Sequence, residues 1–377
     1  MPYCVYQIKY TENFITFASY VISSNNNKMK KEITFTGRFL GGIVGIITLL
    51  SSCSSSHDLS MLQFNIWQEG TMVPGGFEAI ADEIARLEPD FVMLSEVRNY
   101  HNTRFCDRIV AALKERGKIY YSFYSYDSGL LSKHPIADSS TIFPIRDDHG
   151  TIYKMITSVG EQVCAVYTAH LDYQNDTYYE VRGYDGNDWH KMEAPLTDVP
   201  TILERNNLSL RDDAIRAFIT DAQKEIEKGH WVFLGGDFNE PSHLDWIEAT
   251  KDSADHHGVV VPWPVTTLLH EAGFKDTYRE MYPDPVTYPG YTYPSDNLAL
   301  PPGKITWTPD ADERDRIDYI FYYPQKRLRL KEVAILGPKT SIRKSQRVSE
   351  QGKDIFIEPL GVWPTDHKAV WVNFRIK

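Results

Sequence analysis

The stretch His230-Trp-Val-Phe-Leu-Gly-Gly-Asp-Phe-Asn-Glu-Pro241 decides the fold of this chain. Its apolar run, residues 231–234, predicts a buried strand, and the two glycines that follow allow another group to approach the backbone closely. Asp237 and Asn239 come at the carboxyl end of this strand, where residues two apart point the same way. A carboxylate and a carboxamide would then share one pocket, although an Asx turn explains the stretch equally well when it is taken alone.

Composition limits the classes of protein to which the chain can belong. It has 377 residues, ordinary apolar content, many aromatics and a formal net charge of −11 at pH 7, which together predict a globular protein with a sizeable core. Acidic balance disfavours unassisted binding of duplex nucleic acid and suits a site that binds a divalent cation through carboxylates. The cysteines have no disulfide spacing, and we expect Cys106 and Cys164 to be buried free thiols.

The N-terminal residues resemble a leader rather than part of the folded domain. Residues 1–28 have no hydrophobic pattern, so we interpret them as an over-long extension before the true start at Met29. Residues 29–53 combine Met-Lys-Lys, an apolar run over 39–50 and the ending Leu-Ser-Ser-Cys53, which resembles a bacterial lipoprotein signal peptide with Cys53 as the lipidated residue. Residues 54–60 would be a short tether, and the protein would be anchored by lipid to the cell envelope, in the periplasm or at the surface. An uncleaved N-terminal anchor is the alternative.

Residues 61–377 are predicted to form one α/β domain. Helical spacing predicts helices over 77–87, 105–113 and 210–228, and apolar runs predict strands at 61–66, 91–94, 129–132, 153–159, 163–169, 231–234, 316–322, 330–336 and 368–376. A polar and aromatic insertion over about 173–207 and a loop over 282–309 interrupt this pattern. Fully apolar strands mixed with alternating ones indicate two mixed sheets packed face to face, with helices outside.

Polar residues of a few types accompany six of the predicted strands. They are Asn65, Glu96, His170 with Asp172, Asp237 with Asn239, Asp318, and the pair Asp366-His367. Each alone is more often a helix cap, a solvent contact or a satisfied core residue. Together at one end of a sandwich they predict phosphoester cleavage, which needs a hard cation, a group that deprotonates water and donors for the developing negative charge.

The chemistry suggests a role for each side chain. Glu96 is the best ligand for Mg²⁺ and Asp366 the second, with Mn²⁺ or Ca²⁺ as alternative ions. His367 would accept a proton if Asp318 holds its other ring nitrogen, and Asp237 is the rival base. Donors to the phosphate oxygens would be the remaining amide and imidazole groups, Asn65, Asn239 and His170.

The order of these motifs resembles the endonuclease/exonuclease/phosphatase superfamily, which includes deoxyribonucleases, abasic-site endonucleases, sphingomyelinases and inositol-polyphosphate phosphatases. The matching motifs are Gln63-Phe-Asn65, Ser95-Glu96, Thr168-Ala-His170-Leu-Asp172, Gly236-Asp237-Phe-Asn239, Arg316-Ile-Asp318 and Thr365-Asp366-His367. The resemblance implies a four-layer α/β sandwich and Mg²⁺-dependent hydrolysis without a covalent intermediate. It also implies Asp237 as the water-orienting carboxylate and His170 as a donor to the transition state. Some members have an aspartate where this chain has Trp67, so we expect a single metal site.

The insertion over 173–207 is the most distinctive segment and the best guide to the substrate. We expect Tyr184 and Trp189 to stack on a ring, Arg182 to bind a second phosphate and Asp172 to contact the substrate at the mouth of the site. A lid that packs its own aromatics is an equally good explanation. We favour a small or lipid-derived phosphoester substrate and a monomeric enzyme. A secreted non-specific endonuclease and an inactive surface binding module are the alternatives, and nucleic acid is disfavoured because no Lys/Arg stripe accompanies the motifs.

Overall fold

The computed structural model describes residues 58–144 and 150–377 with their side chains, and within residues 3–38 the backbone of three strands. The chain divides into two units, Met1–Ser54 and Ser55–Lys377. In the first unit, one antiparallel sheet contains the strands β1 (Tyr3–Thr11), β2 (Phe14–Ile22) and β3 (Met29–Arg38). The sequence had indicated no regular structure over residues 1–28. Residues 39–50 and Cys53 lie outside the described residues, so the lipoprotein signal stays a prediction.

The second unit contains fifteen strands and seven α-helices within its described residues. The strands are β4 (Asp58–Asn65), β5 (Phe91–Ser95), β6 (Tyr121–Ser122), β7 (Gly129–Ser132), β8 (Ile136–Phe143), β9 (Thr151–Val159), β10 (Gln162–His170), β11 (Trp231–Asp237), β12 (Lys275–Asp276), β13 (Asp318–Tyr322), β14 (Leu328–Leu336), β15 (Thr340–Arg343), β16 (Gln346–Ser349), β17 (Phe356–Ile357) and β18 (Ala369–Ile376). The helices are α1 (Gly76–Leu87), α2 (Phe105–Glu115), α3 (Thr177–Val181), α4 (Val199–Asn206), α5 (Arg211–Glu227), α6 (Pro264–Glu271) and α7 (Thr277–Met281). None of the helices in the described ranges combines the length and the hydropathy that a membrane crossing requires.

Two large mixed sheets form the centre of this unit. One has the strand order β12-β13-β11-β10-β9-β8, the other the order β17-β14-β18-β4-β5-β7-β6, and β15 pairs with β16 in a separate hairpin. The pairs β10–β11 and β4–β5 are parallel, whereas most of their neighbours are antiparallel. The predicted fold class, two packed mixed sheets flanked by helices, is confirmed.

The central strands are apolar on both faces because each sheet is covered on both sides. In β5, Phe91 and Met93 face the apolar layer between the sheets, and Val92 and Leu94 face the layer under α1 and α2. In β11, residues alternate in the same way between the inner layer and the layer under α5 and α6. Side chains of a strand alternate between its faces, so these three apolar layers define a four-layer sandwich.

The predicted helices agree with α1, α2 and α5 to within about two residues at most ends, a normal uncertainty for boundaries. One predicted boundary is corrected, and three elements were not predicted. The tether was expected to reach residue 60, but residues 58–60 begin β4 and pair with β18. Strand β8 was missed because half of its side chains are exposed and it has no continuous apolar run, and α6 and α7 were missed because they are short.

Strand register brings the predicted polar residues to one edge of the molecule. His170 at the end of β10 pairs with Asp237 at the end of β11, which in turn pairs with Asp318 at the start of β13. The predicted close approach at the glycines is confirmed. A Cβ on Gly235 would lie 2.2 Å from the Met93 sulfur, and one on Gly236 would lie 2.1 Å from a neighbouring carbonyl oxygen, so neither position accepts a larger residue.

Candidate active site

Asp237 lies at the centre of the polar cluster. It is 1% exposed, its Oδ1 accepts the Asn239 backbone N–H (2.9 Å), and its Oδ2 accepts the Asn65 side-chain amide (2.9 Å). The Nε2 atoms of His367 and His170 lie 3.8 Å and 3.9 Å from the same Oδ2. Burial raises the pKa of Asp237, although the two imidazoles oppose the shift. The carboxylate is therefore held in one orientation between two potential proton donors.

Each of these histidines has its own carboxylate partner. His367 Nδ1 lies 2.9 Å from Asp318 Oδ2, and His170 Nδ1 lies 2.5 Å from Asp127 Oδ2. Burial alone would lower the pKa of each imidazole, but the adjacent carboxylates outweigh burial and raise both pKa values to about 10. The carboxylates therefore favour the protonated form of both rings, whose Nε2 atoms lie toward Asp237.

The end of β4 and the turn after β5 hold each other in place. The Asn65 amide donates to Glu96 Oε1 (3.1 Å), and the Gln68 backbone N–H donates to Glu96 Oε2 (2.8 Å). Glu96 has a left-handed backbone (φ 65°), as do the three residues 67–69. Strained backbone of this kind persists where the surroundings fix it, and here it orients the Glu96 carboxylate toward the cleft.

Asn65 therefore has a different position from the one expected. It was predicted to donate to substrate oxygens, but it is fully buried, and its amide nitrogen donates to Glu96 and to Asp237. Its oxygen accepts the Trp67 backbone N–H (2.9 Å). Asn65 is a positioning residue in this geometry. Asn239 does line the cleft, and its side-chain amide donates to the Leu171 carbonyl oxygen (2.9 Å).

The donor set suits a hard divalent cation. Glu96 and Asp366 both line the cleft, and Asp366 is 6% exposed. Burial raises the pKa of Asp366 to about 7; His367 lowers it and the negative charge of Glu96 raises it further. A cation held by both carboxylates would remove this unfavourable interaction between charges. The predicted pair of ligands is thus compatible with the structure.

A second group of potential ligands overlaps the proton-transfer groups. Ligand atoms of Asp237, Asp318 and His367 all lie within 4.8 Å of one another. However, Asp318 Oδ1 accepts the Gln63 amide (2.8 Å) and Asp318 Oδ2 faces His367, so both of its oxygens already have partners. Glu96 and Asp366 line the cleft, where a cation could contact a substrate, and Asp318 does not, which favours Glu96 and Asp366 as the ligands.

These groups open into a cleft of about 600 Å³. Besides the catalytic candidates it is lined mainly by aromatic side chains, namely Trp67, Tyr100, Tyr126, Tyr173, Tyr178, Tyr179, Trp189, Tyr293 and Trp307. Its charged lining consists of Arg98, Glu96, Asp127, Asp176, Asp237 and Asp366, with three histidines. The cleft therefore has room for a small molecule and has few cations with which to bind a polyanion.

Three of the substrate-binding residues predicted in or next to the insertion lie elsewhere. The Arg182 side chain is fully buried, pairs with Asp315 (2.7 Å) and donates to backbone carbonyl oxygens, so it cannot bind a second phosphate. Tyr184 is 4% exposed, and its hydroxyl accepts the Asp310 backbone N–H (3.2 Å). Asp172 is buried as well, and its carboxylate accepts backbone N–H groups at the start of α5 and in the loop after β10.

The insertion is a folded segment rather than a loose loop. It contains α3 and α4, and its aromatics join a buried cluster with Trp246 and Trp263. The alternative in which the insertion packs its own aromatics therefore describes most of it. Trp189 is the predicted substrate-binding residue of the insertion that does line the cleft.

Two functional neighbours were missed in the sequence. Asp127, the partner of His170, lies two residues before the predicted strand at 129–132. It would have been found by treating every acidic residue close to either end of a predicted strand as a candidate. Gln63 lies on β4 two residues before Asn65, and its contact with Asp318 crosses from one sheet to the other. No local sequence signal indicates such a contact, because it depends on how the two sheets pack.

Comparison with known proteins identifies the class of this fold and site. The sequence model of the Endonuclease/Exonuclease/phosphatase family matches residues 62–367, which include every site residue above. The chain belongs to this family and is a hydrolase of phosphoester bonds, the reaction class of its members. A relative in Caenorhabditis elegans, the uncharacterized protein F14F9.5, is 30% identical over 337 residues, covering 86% of this chain and 93% of the relative.

Two solved structures align with most of the chain at low sequence identity. Zebrafish (D. rerio) TDP2 complexed with a single-strand DNA product is 15% identical, covers 84% of this chain and 98% of its own, and has a TM-score of 0.48. The human Nocturnin catalytic domain with bound sulfate is 14% identical, covers 86% and 97% of the two chains, and has a TM-score of 0.44.

Proposed function

We propose that this protein is a divalent-metal-dependent phosphodiesterase or phosphatase that uses an activated water on a small or lipid-derived phosphoester. The observation that carries the proposal is the convergence of two carboxylate–imidazole pairs on one buried carboxylate. The Nε2 atoms of His170 and His367 both face Asp237 Oδ2. The Nδ1 atom of His170 contacts Asp127, and that of His367 contacts Asp318. A structural cluster would not need two imidazolium groups facing a cleft with room for a ligand.

The protonation states favour Asp237 as the base. A histidine whose pKa is raised to about 10 already carries its proton at neutral pH and cannot accept another. Burial raises the pKa of Asp237, which strengthens it as an acceptor of the proton from water. His367 and His170 then act as donors to the phosphoryl oxygens and the leaving group.

Glu96 and Asp366 would hold the cation, for which Mg²⁺ is the first candidate and Mn²⁺ and Ca²⁺ are alternatives. A bound divalent cation supplies Lewis-acid polarisation of the phosphoryl group. The chain's own contribution is to fix the carboxylates. Asn65 and the Gln68 backbone hold Glu96, and burial holds Asp366. Trp67 stands where some family members have a further aspartate, which supports a single metal site.

The form of the cleft supports a small substrate. Five carboxylates and one guanidinium line it, and Arg98 donates to Gln68 (2.7 Å) and contacts His101 (2.8 Å). An extended nucleic acid needs several phosphate contacts from Lys and Arg. A single phosphoryl group, neutralised by the cation and the two imidazoles, needs none beyond those present.

We also propose that the protein is exported and anchored by lipid at Cys53. The support is the sequence pattern of residues 29–53, in which a basic start, an apolar run and a cysteine follow one another. Radiolabelled palmitate should enter the protein when the full gene is expressed in a bacterial host, and Cys53→Ser should abolish labelling. Equal labelling of the variant would refute lipidation at this residue.

The enzymatic proposal is tested with bis(p-nitrophenyl) phosphate and p-nitrophenyl phosphate as diester and monoester probes. We expect Mg²⁺-dependent release of nitrophenolate that is abolished by a chelator and by His367→Ala. The same substitution at His230, which pairs with Glu225 away from the cleft, is the matched control. Hydrolysis by His367→Ala at the rate of the His230→Ala control would refute the assigned site.

The endonuclease alternative has its own test. Supercoiled plasmid incubated with micromolar enzyme and Mg²⁺ or Ca²⁺ should remain intact if the acidic cleft excludes a duplex. Rapid nicking that depends on Asp237 would replace the small-substrate proposal with a nuclease, while inertness toward every phosphoester would leave the binding-module alternative.

A further inference from the structure

One part of the cleft is built from two stacked tryptophans. Trp189 of the insertion and Trp307 of the loop over 282–309 have ring centroids 4.6 Å apart and planes inclined by 24°. Both line the same cleft as His170 and Asp237. Trp189 covers one face of Trp307, yet Trp307 remains 51% exposed.

This exposure is unusual for tryptophan in this molecule. Most of the other tryptophans of the described second unit are buried, namely Trp67, Trp231, Trp246, Trp263 and Trp363. Leaving an indole in water forgoes about 25 cal/mol for each Å² of apolar surface that could have been buried. Because Trp307 lines the cleft, its uncovered part offers a ligand in the cleft an indole surface on which to pack.

The pair is held rigidly rather than collapsed against the cleft wall. The backbone N–H groups of Trp307 and Thr308 donate to the buried Glu313 carboxylate (3.3 and 3.2 Å). The Trp189 backbone N–H donates to the Asp185 carbonyl oxygen (3.1 Å), and the Tyr179 and Trp189 rings pack nearly perpendicular to each other. A surface that is ordered before binding loses little conformational entropy when a ring stacks on it.

We propose that the open face of Trp307 binds an uncharged ring, a sugar or a nucleobase, attached to the phosphate that reacts. Both kinds of ring present a flat face of suitable size to an indole, and stacked aromatic arrangements of this kind are favourable. This inference rests on the proposed hydrolase function and specifies the substrate of that same cleft.

The charges of the insertion favour a ring that carries no second phosphate. Every Lys and Arg side chain within residues 173–207, all of which the structure describes, is already in an ion pair. These pairs are Arg182–Asp315, Lys191–Asp310 and Arg205–Glu180. A second anionic group beside the tryptophans would therefore have to displace one of these carboxylates to pair with a cation of the insertion, and Arg98 elsewhere in the cleft already donates to Gln68.

The test is calorimetric titration of the full chain with Mg²⁺ on the Asp237→Asn background, which prevents hydrolysis of the probes. The probes are thymidine 5′-phosphate, glucose 6-phosphate and the ring-free glycerol 3-phosphate. We expect at least one ring phosphate to bind about 5- to 10-fold more tightly than glycerol 3-phosphate, and Trp307→Ala to remove this preference. The two ring probes distinguish a nucleobase from a sugar.

Trp307→Phe keeps a stacking surface and should retain part of the preference, and Tyr124→Ala, at a residue 68% exposed that does not line the cleft, should retain all of it. Equal binding of glycerol 3-phosphate, a preference that survives Trp307→Ala, or no binding of any probe would overturn the inference. Tighter binding of thymidine 3′,5′-bisphosphate than of thymidine 5′-phosphate would contradict the proposal that the bound ring carries no further charge. If the proposed hydrolase function is wrong, the wild-type chain will release no nitrophenolate, a result that is independent of these binding measurements.

Discussion

The floor of the cleft and its aromatic side come from two different kinds of segment. The floor consists of residues at strand ends, such as His170 and Asp237, whose neighbours are fixed by register across one sheet. The aromatic side includes the insertion over 173–207, where Trp189 lines the cleft but Arg182 is buried with Asp315. Strand register places a side chain regardless of its chemistry, whereas the position of an insertion depends on how it packs. Polar residues at strand ends therefore predict a site more reliably than aromatic and charged residues of an insertion.

The sharpest test of the floor is Asp237→Asn, for which we expect the largest effect. Loss of the proton acceptor should lower kcat by about 10²- to 10⁴-fold with a small change in KM, because a positioned base acts on the transition state. Steady-state kinetics with the chromogenic diester measures this. Asp198→Asn is the matched control, since Asp198 is an exposed helix cap that asparagine can replace. A loss of less than tenfold would mean that another group accepts the proton.

The corresponding test of the insertion is Arg182→Met, which we expect to affect stability rather than catalysis. The side chain is fully buried, and its removal would leave the Asp315 carboxylate without its partner in the interior. Breaking a buried pair in this way costs about 3–5 kcal/mol of unfolding free energy. Urea unfolding measures the loss.

Lys191→Met removes the exposed pair with Asp310 and is the control for Arg182→Met, with little change expected in the unfolding midpoint. Unchanged stability of Arg182→Met together with a raised KM would reverse the interpretation. Arg182 would then bind the substrate, as the sequence predicts, and the contrast between the floor and the insertion would disappear.

The sequence predicted most of the floor because two simple regularities apply there. Apolar runs located β4, β5, β10 and β11, and the polar residue that ends each run entered the site. Contacts between the two sheets had no such signal in the sequence. Gln63 was therefore matched only as part of a motif, without its contact to Asp318. Asp127, the partner of His170, was missed although it precedes a predicted strand. In the insertion, composition indicated aromatic packing but could not separate Trp189, which lines the cleft, from Tyr184, which is buried.

Asp127→Asn tests another residue of the floor, and we expect a smaller loss of activity that depends on pH. Asp127 is the main reason that the pKa of His170 is raised to about 10 despite burial. The active form of His170 is the protonated donor, so activity should fall as pH rises through this pKa. Without the Asp127 charge the alkaline limb of the kcat profile should move to lower pH, with about tenfold loss at pH 9 and less at pH 6. A uniform loss at every pH would indicate a purely structural role.

The smallest effect concerns stabilisation by the cation. Burial raises the pKa of Asp366 from 3.8 to about 7, and the negative charge of Glu96 adds to the shift. Because the folded state binds this proton more tightly than the unfolded chain, its stabilising contribution is complete below about pH 4 and is lost as pH rises toward 7. Mg²⁺ binds the deprotonated carboxylates and should restore stability in that upper range.

Addition of Mg²⁺ at about ten times its Kd should stabilise the folded state by about 1.4 kcal/mol, and calorimetry should show a larger rise in Tm at pH 8 than at pH 5. Asp366→Asn removes both the titration and a ligand, so its Tm without metal should depend less on pH and its response to Mg²⁺ should shrink. Asp172→Asn changes a buried carboxylate that does not line the cleft, and it should leave the rise in Tm with Mg²⁺ intact. If Asp366→Asn keeps the full response, the cation binds at Asp237, Asp318 and His367 instead, and the proton acceptor of the floor must be reassigned.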